Sequence, residues 1–126
     1  IYIAGIDDVS TEMDDAESVA AQVNSKDFVI FLAHNPSVIS SSLLLTDRNG
    51  RGNWFDLGLF GHTHGGQIPF LEEAFNFNGV PSRYESGLLL ENRSWLLISR
   101  GVGTTGLPAR LFCQPEIHLI TVQSGT

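Results

Sequence analysis

Gly61-His62-Thr63-His64-Gly65-Gly66-Gln67 places two imidazoles one residue apart in a glycine-flanked turn, directly after an apolar run. Two histidines at i and i+2 on extended backbone project to the same side, and imidazole nitrogen is a ligand for Zn, Fe, Mn, Co and Ni. The spacing can therefore supply half of a transition-metal site. The flanking glycines let backbone approach a ligand closely. A pair of solvated loop histidines has the same spacing, so the surroundings must decide.

A third imidazole follows a similar run. Asp27-Phe28-Val29-Ile30-Phe31-Leu32-Ala33 is continuously apolar after one charge, the pattern of a strand buried on both faces, and it delivers His34 at its end. Asn35 and Pro36 suit a helix N-cap and first helical position, so a helix is expected through Val38 to Leu45. His34 then lies between a strand end and a helix start, where ligands gather in open α/β sheets. Taken alone, it reads first as a strand-end histidine bonded to backbone, the commoner case for a single histidine. The second run, Asp56 to Phe60, also ends in histidines. Three histidines converging from two strand ends would suffice for a transition metal, bound through neutral ring nitrogens. His118, inside the alternating run Ile117 to Val122, is expected to be an ordinary outward-facing strand residue.

The positioning elements form one α/β unit. Tyr2 to Ile6 is a first strand, and Glu12 to Val23 places Met13, Ala16, Val19, Ala20 and Val23 on one helix face, with Thr11 and Asp14 resembling a capping box. The acidic residues near its start suit the helix dipole and are poor ligand candidates. Thr46 to Gly52 is a polar, glycine-rich loop, and a second loop is expected between Gln67 and Ser86. The aromatic residues of that second loop either cap the core or line a substrate entrance, with packing the commoner use. Gly87 to Glu91 and Ser94 to Ser99, joined by Asn92-Arg93, read as a β-hairpin, and Ile117 to Gln123 as a last strand.

Composition narrows the function classes. The net charge is −7 with only seven Lys plus Arg, so there is no basic patch and no nucleic-acid-binding signature. No apolar run approaches a membrane span, and the chain is expected to be soluble as given, with any membrane association residing in a longer parent. The 126 residues begin at Ile1, inside a strand pattern and without an initiator Met, as expected of a piece of something longer. Cys113 is the single cysteine and, beside Phe112, is expected to be a buried packing residue.

Several motifs in a fixed order resemble the C-terminal half of the calcineurin-like metallophosphoesterase family, in particular its bacterial membrane-associated branch. Gly5-Ile6-Asp7-Asp8 resembles that branch's G-[VI]-D-D, and Ala33-His34-Asn35-Pro36 its isolated metal histidine. Leu59 to Gln67 resembles its G-H-[ST]-H-G-G-Q signature, and Ser99 to Arg110 its S-R-G-[LV]-G-[TS]-[TS]-G-L-P-x-R segment. The family's D-x-H, G-D-x-x-D and G-N-H-[DE] motifs do not occur in this sequence.

The resemblance implies a fold, a chemistry and a set of roles. The fold would be half of an α/β/β/α sandwich, a mixed sheet with flanking helices, with residues 1–126 forming the C-terminal part of a single domain. The chemistry would be hydrolysis of a phosphomonoester or phosphodiester with two divalent transition metals, Mn, Fe or Zn. His34 and His62 would serve one metal and His64 the other, with Asn35, Gly61, Gly65 and Gly66 supporting them. The bridging carboxylate and the transition-state histidine would be missing from this chain, leaving it inactive without the missing half. Arg100, after a strand end, suits a bidentate phosphate contact and equally a structural salt bridge. A sheet face exposed here would pack on the missing N-terminal half or on a second copy. Two other readings stay open: a self-contained mononuclear hydrolase with a three-histidine site, and a non-enzymatic metal-binding or interaction domain.

Overall fold

The computed structural model describes residues 1–125. Five strands, β1 (Tyr2–Gly5), β2 (Val29–Leu32), β3 (Leu57–Phe60), β4 (Gly87–Glu91) and β5 (Ser94–Ile98), form one sheet in the order β1-β2-β3-β5-β4. β1, β2, β3 and β5 run parallel, and β4 closes the edge antiparallel to β5. The hairpin forms as expected, with Asn92 and Arg93 both at positive φ, the backbone that a tight two-residue turn between twisted strands requires.

The registers sort the side chains into two faces. On one, Val29, Phe31, Leu96 and Ile98 are fully buried beneath the connecting segments. Phe31 packs edge-on against Trp54 with ring centroids 4.8 Å apart, and the Trp54 indole N–H donates to the Ser42 carbonyl at 2.9 Å. On the other face, Ile3, Ile30, Leu57, Trp95 and Leu90 make one cross-strand row, and Leu32, Leu59, Leu97 and Leu88 a second. That face is apolar but open: Ile3, Leu32, Leu88, Leu90 and Trp95 are all exposed. β2 is thus buried on one face, and its apolar run reflects a second face with nothing of this chain packed firmly on it. A mixed sheet with helices on one side is half of an α/β/β/α sandwich.

The helices are short. α1 spans Ala16–Ala20 rather than Glu12 to Val23, because Thr11 ends a 3-10 turn capped by Asp8, and Glu12 then breaks the path at φ 57°. Asp15 is the actual N-cap, accepting from the Ser18 amide. Asn35 and Pro36 open a helical segment as expected, a 3-10 turn running into α2 (Ile39–Ser42). A third helix, α3 (Pro69–Phe75), lies in the expected loop, with Pro69 in its first turn and Asn76 at φ 47° ending it. These are ordinary helix punctuation residues hidden among aromatics. The aromatics divide: Tyr84 is buried, whereas Phe70, Phe75 and Phe77 are exposed.

Ile117 to Gln123 is not a strand. The segment shares a cleft with Leu57, Leu88, Trp95 and Leu97 on the open sheet face, where no strand edge is offered to its amides. Alternation alone cannot form a ladder without a partner. His118 turns to the Ser99 hydroxyl, 3.1 Å away, and to Glu116.

Candidate metal centre

The C-terminal ends of β2 and β3 bring His34 and His62 together. Ladder bonding continues past both strands: the Ala33 amide donates to the Leu59 carbonyl at 3.2 Å, and the Gly61 amide to the His34 carbonyl at 2.9 Å. The rings meet edge to face with centroids 5.3 Å apart. Asn35 accepts the Ser37 amide at 2.9 Å, capping the following 3-10 turn and fixing where the chain leaves His34. Space does not require the glycine at position 61, since a Cβ there would meet His34 Nδ1 at an ordinary 3.7 Å. Asp8 stands near the pair, its carboxyl held below its usual range mainly by hydrogen bonds from Ser10 and further by the two histidines.

His62 and His64 do not project from extended backbone. Both are left-handed, at φ 68° and 52°, with Thr63 at φ −67° between them, so their rings diverge. His62 turns to His34, and His64 turns to the loop at Gly103. Among the described residues, three of the nine non-glycine positions with positive φ, namely His62, His64 and Gln67, fall within this one short loop. Each left-handed residue costs about 1–2 kcal/mol, a strain that persists only where the surroundings enforce it.

His64 Nδ1 lies 3.2 Å from the Gly103 carbonyl. A carbonyl only accepts, so Nδ1 carries the proton and Nε2 keeps its lone pair, the arrangement in which ligating histidines are held. The same carbonyl receives Arg110 Nη2 at 2.6 Å. Arg110 also donates to the carbonyls of His64 at 3.0 Å and Arg100 at 2.6 Å. Gln67 completes this latch. Its Nε2 reaches the carbonyls of Thr105, Leu107 and Ala109 at 3.1–3.3 Å, and its Oε1 accepts the Thr105 amide. The two motifs, forty residues apart in sequence, are one hydrogen-bonded unit.

Gly65 and Gly66 serve packing inside that unit. Gly65, at φ 60°, leaves no space for a Cβ, which would lie 2.5 Å from Arg100 Cγ and 2.6 Å from Cys113 Sγ. Gly66, at φ 74°, lies against Glu85 and Glu72. The close approach is by protein side chains. Cys113 is buried as expected, with its thiol 3.1 Å from the Gly65 carbonyl.

Of the two roles open to Arg100, the structure shows the ion pair: its Nη2 is 2.6 Å from Glu116 Oε2, and its amide donates to Glu116 Oε1 at 2.9 Å. The Arg100 hydrogen bond draws the Glu116 carboxyl down to about 2 and pushes the guanidinium up. Gln67, Arg110, Thr63 and Glu116 were not singled out by residue type. Their signal lay in the motifs, but carbonyl-directed side chains have no spacing rule.

The three histidines line one cleft of about 740 Å³. Among the described residues, no three His, Cys, Asp or Glu side chains come close enough together to hold a metal ion. Two adjacent imidazoles fit a divalent transition metal as part of its ligand set, and His64 stands apart with its own Nε2 free.

The whole chain has bacterial relatives. It is 36% identical to the Bacillus subtilis protein YpbG over 97% of its length, and 33% identical to the B. subtilis metallophosphoesterase YkuE over 98%. It is 37% identical to the Escherichia coli phosphodiesterase YaeI over 72%. The chain spans 42% of YpbG, 41% of YkuE and 31% of YaeI, under half of each relative's length. No protein-family model and no solved structure matches it. The chain is homologous to bacterial metallophosphoesterases, which supports a hydrolase of this general type.

Proposed function

We propose that this chain is the C-terminal part of a single metallophosphoesterase domain, of the membrane-associated branch, that hydrolyses phosphomonoesters or phosphodiesters with two divalent metals. The observation that carries the reading is the His34–His62 pair at the C-terminal ends of adjacent parallel strands, in a chain homologous to metallophosphoesterases over nearly all its length. His34 and His62 would hold one metal and His64, with Nε2 free, the other. When bound, such metals supply Lewis-acid polarisation of the phosphate and a nucleophile at neutral pH.

The chain's own residues bind and orient. The Gly61 amide and the Asn35 cap fix the His34–His62 geometry, and Gly103 sets the His64 tautomer. Arg100 is engaged by Glu116 and Arg110 by carbonyls, so neutralisation of the substrate phosphate falls to the metals and to residues outside this chain. The remaining ligands and the acid that protonates the leaving group would come from that part too. It would also cover the open sheet face, with self-association as the alternative cover.

The separation of the histidines favours this over a mononuclear three-histidine site. The test is hydrolysis of an aryl phosphate and its diester by the isolated chain with Mn, Zn or Fe, alone and co-expressed with the N-terminal part of YkuE. No turnover alone, and turnover on co-expression that His62→Ala abolishes, is the expected result. Turnover by the isolated chain would overturn the incomplete-site reading.

A further inference from the structure

The cleft beside the histidines has a second wall of different character. Ile68, Leu71, Phe77 and Leu107 line it, and Phe77 and Leu107 expose 73% and 55% of their surface. Among the described residues no lysine or arginine lines the cleft, and Glu72 is its one acidic lining residue, accepting the Asn78 amide at 2.9 Å. The imidazoles therefore share one cleft with four apolar side chains, alongside the polar Thr63, Gln67, Asn78 and Thr105. A volume of about 740 Å³ lies within the range of small-ligand sites.

Resting on the phosphoesterase reading, we propose that this wall is a subsite for the organic group of the substrate, and that the group is an uncharged alkyl chain attached to a single phosphate. Two observations favour a chain over a planar ring. One face of Phe77 is already taken by stacking on Phe75, with centroids 5.4 Å apart and planes 27° from parallel. The other wall residues are aliphatic and present edges rather than a flat platform. The charge of this chain's own lining disfavours the polyanionic classes. A second phosphate or an acidic peptide would meet Glu72 with no guanidinium or ammonium to pair it, in a chain of net charge −7. Nucleoside di- and triphosphates and nucleic acids are the poorest fit.

Alkyl length is the variable that reads out the subsite. Full burial of one methylene strengthens binding by about fourfold, and an open cleft buries part of each, so four methylenes should give roughly 10- to 100-fold. The experiment titrates ethyl phosphate, hexyl phosphate, phenyl phosphate and ADP into the ¹⁵N-labelled chain, with and without Zn(II), following amide shifts. Hexyl phosphate is expected to bind at least tenfold more tightly than ethyl phosphate, more tightly than phenyl phosphate, and to shift Ile68, Leu71, Phe77 and Leu107. Phe77→Ser and Leu71→Ser, both uncharged replacements, should each reduce the hexyl-over-ethyl advantage while leaving ethyl phosphate affinity unchanged. Equal affinity for ethyl and hexyl phosphate, or tighter binding of ADP or phenyl phosphate, would overturn the proposal. The zinc arm separates the two claims. A hexyl advantage that persists while zinc adds nothing counts against the phosphoesterase reading and leaves the subsite standing.

Discussion

The two flanks of the histidine loop are built on opposite terms. On the His64 flank, Gln67, Arg110 and Cys113 tie the loop to the 100–113 segment through carbonyls, and glycines are packed to the limit. On the His34–His62 flank two strand ends deliver bare rings to an open cleft, and His62 sits in a strained left-handed conformation. The difference teaches where the fold spends its stabilising contacts. They hold one imidazole in a fixed tautomer and leave the other two free to take a ligand. Strain at an unpartnered histidine, enforced by a rigid neighbour, is the pattern of a preorganised site.

Adding a methyl group to the latched flank should break the contrast most severely. Gly65→Ala adds a Cβ at positive φ that overlaps Arg100 and Cys113. Conformational strain and overpacking together are expected to cost about 3 kcal/mol, against about 0.5 kcal/mol or less for Gly61→Ala on the open flank. Chemical denaturation of both variants measures the pair. Comparable losses would show that the flanks are not differently packed.

On the open flank the expected sign reverses. Replacing His62 by Gly relieves the left-handed backbone and removes a half-buried ring with no hydrogen bond in this structure, so His62→Gly should gain up to about 1 kcal/mol in stability. Thermal melts would show it. A loss of 1 kcal/mol or more would mean that the ring is structural.

The smallest effect is the pH dependence of the Arg100–Glu116 pair. Glu116 is depressed in the folded state to about 2 from an ordinary 4.5. Its contribution is fully present above the unfolded value and is lost as pH falls from about 5 toward 2, discounted because both side chains are partly exposed. Glu116→Gln should flatten the stability profile in that window and leave it unchanged at pH 7–8, apart from a constant offset.

Much of the sheet and two of the three histidine positions were legible in the residues. β3 and the hairpin follow from period, apolar runs and turn residues, and His34 and His62 follow from their position at strand ends. The backbone at His62 and His64 was not legible, because H-x-H spacing carries no φ angle and the hydrogen bonds that hold His64 and Gln67 come from residues about forty positions along the chain. α3 was missed because its Pro69 and Asn76 punctuation sits among aromatics that resemble a loop. The run Ile117 to Gln123 misled because alternation states a preference that only a neighbouring strand can realise. The bare second face of the sheet was anticipated only through the family resemblance, since an apolar run does not say what covers it.

We propose His34 and His62 as the metal-facing pair of an incomplete site. Zinc titration of the isolated chain, read by calorimetry beside His34→Ala and His62→Ala, tests it most directly. Binding at no more than one ion per chain, weakened at least tenfold by either substitution, is the predicted result. Affinity unchanged in both variants, or two tightly held ions in the isolated chain, would contradict it.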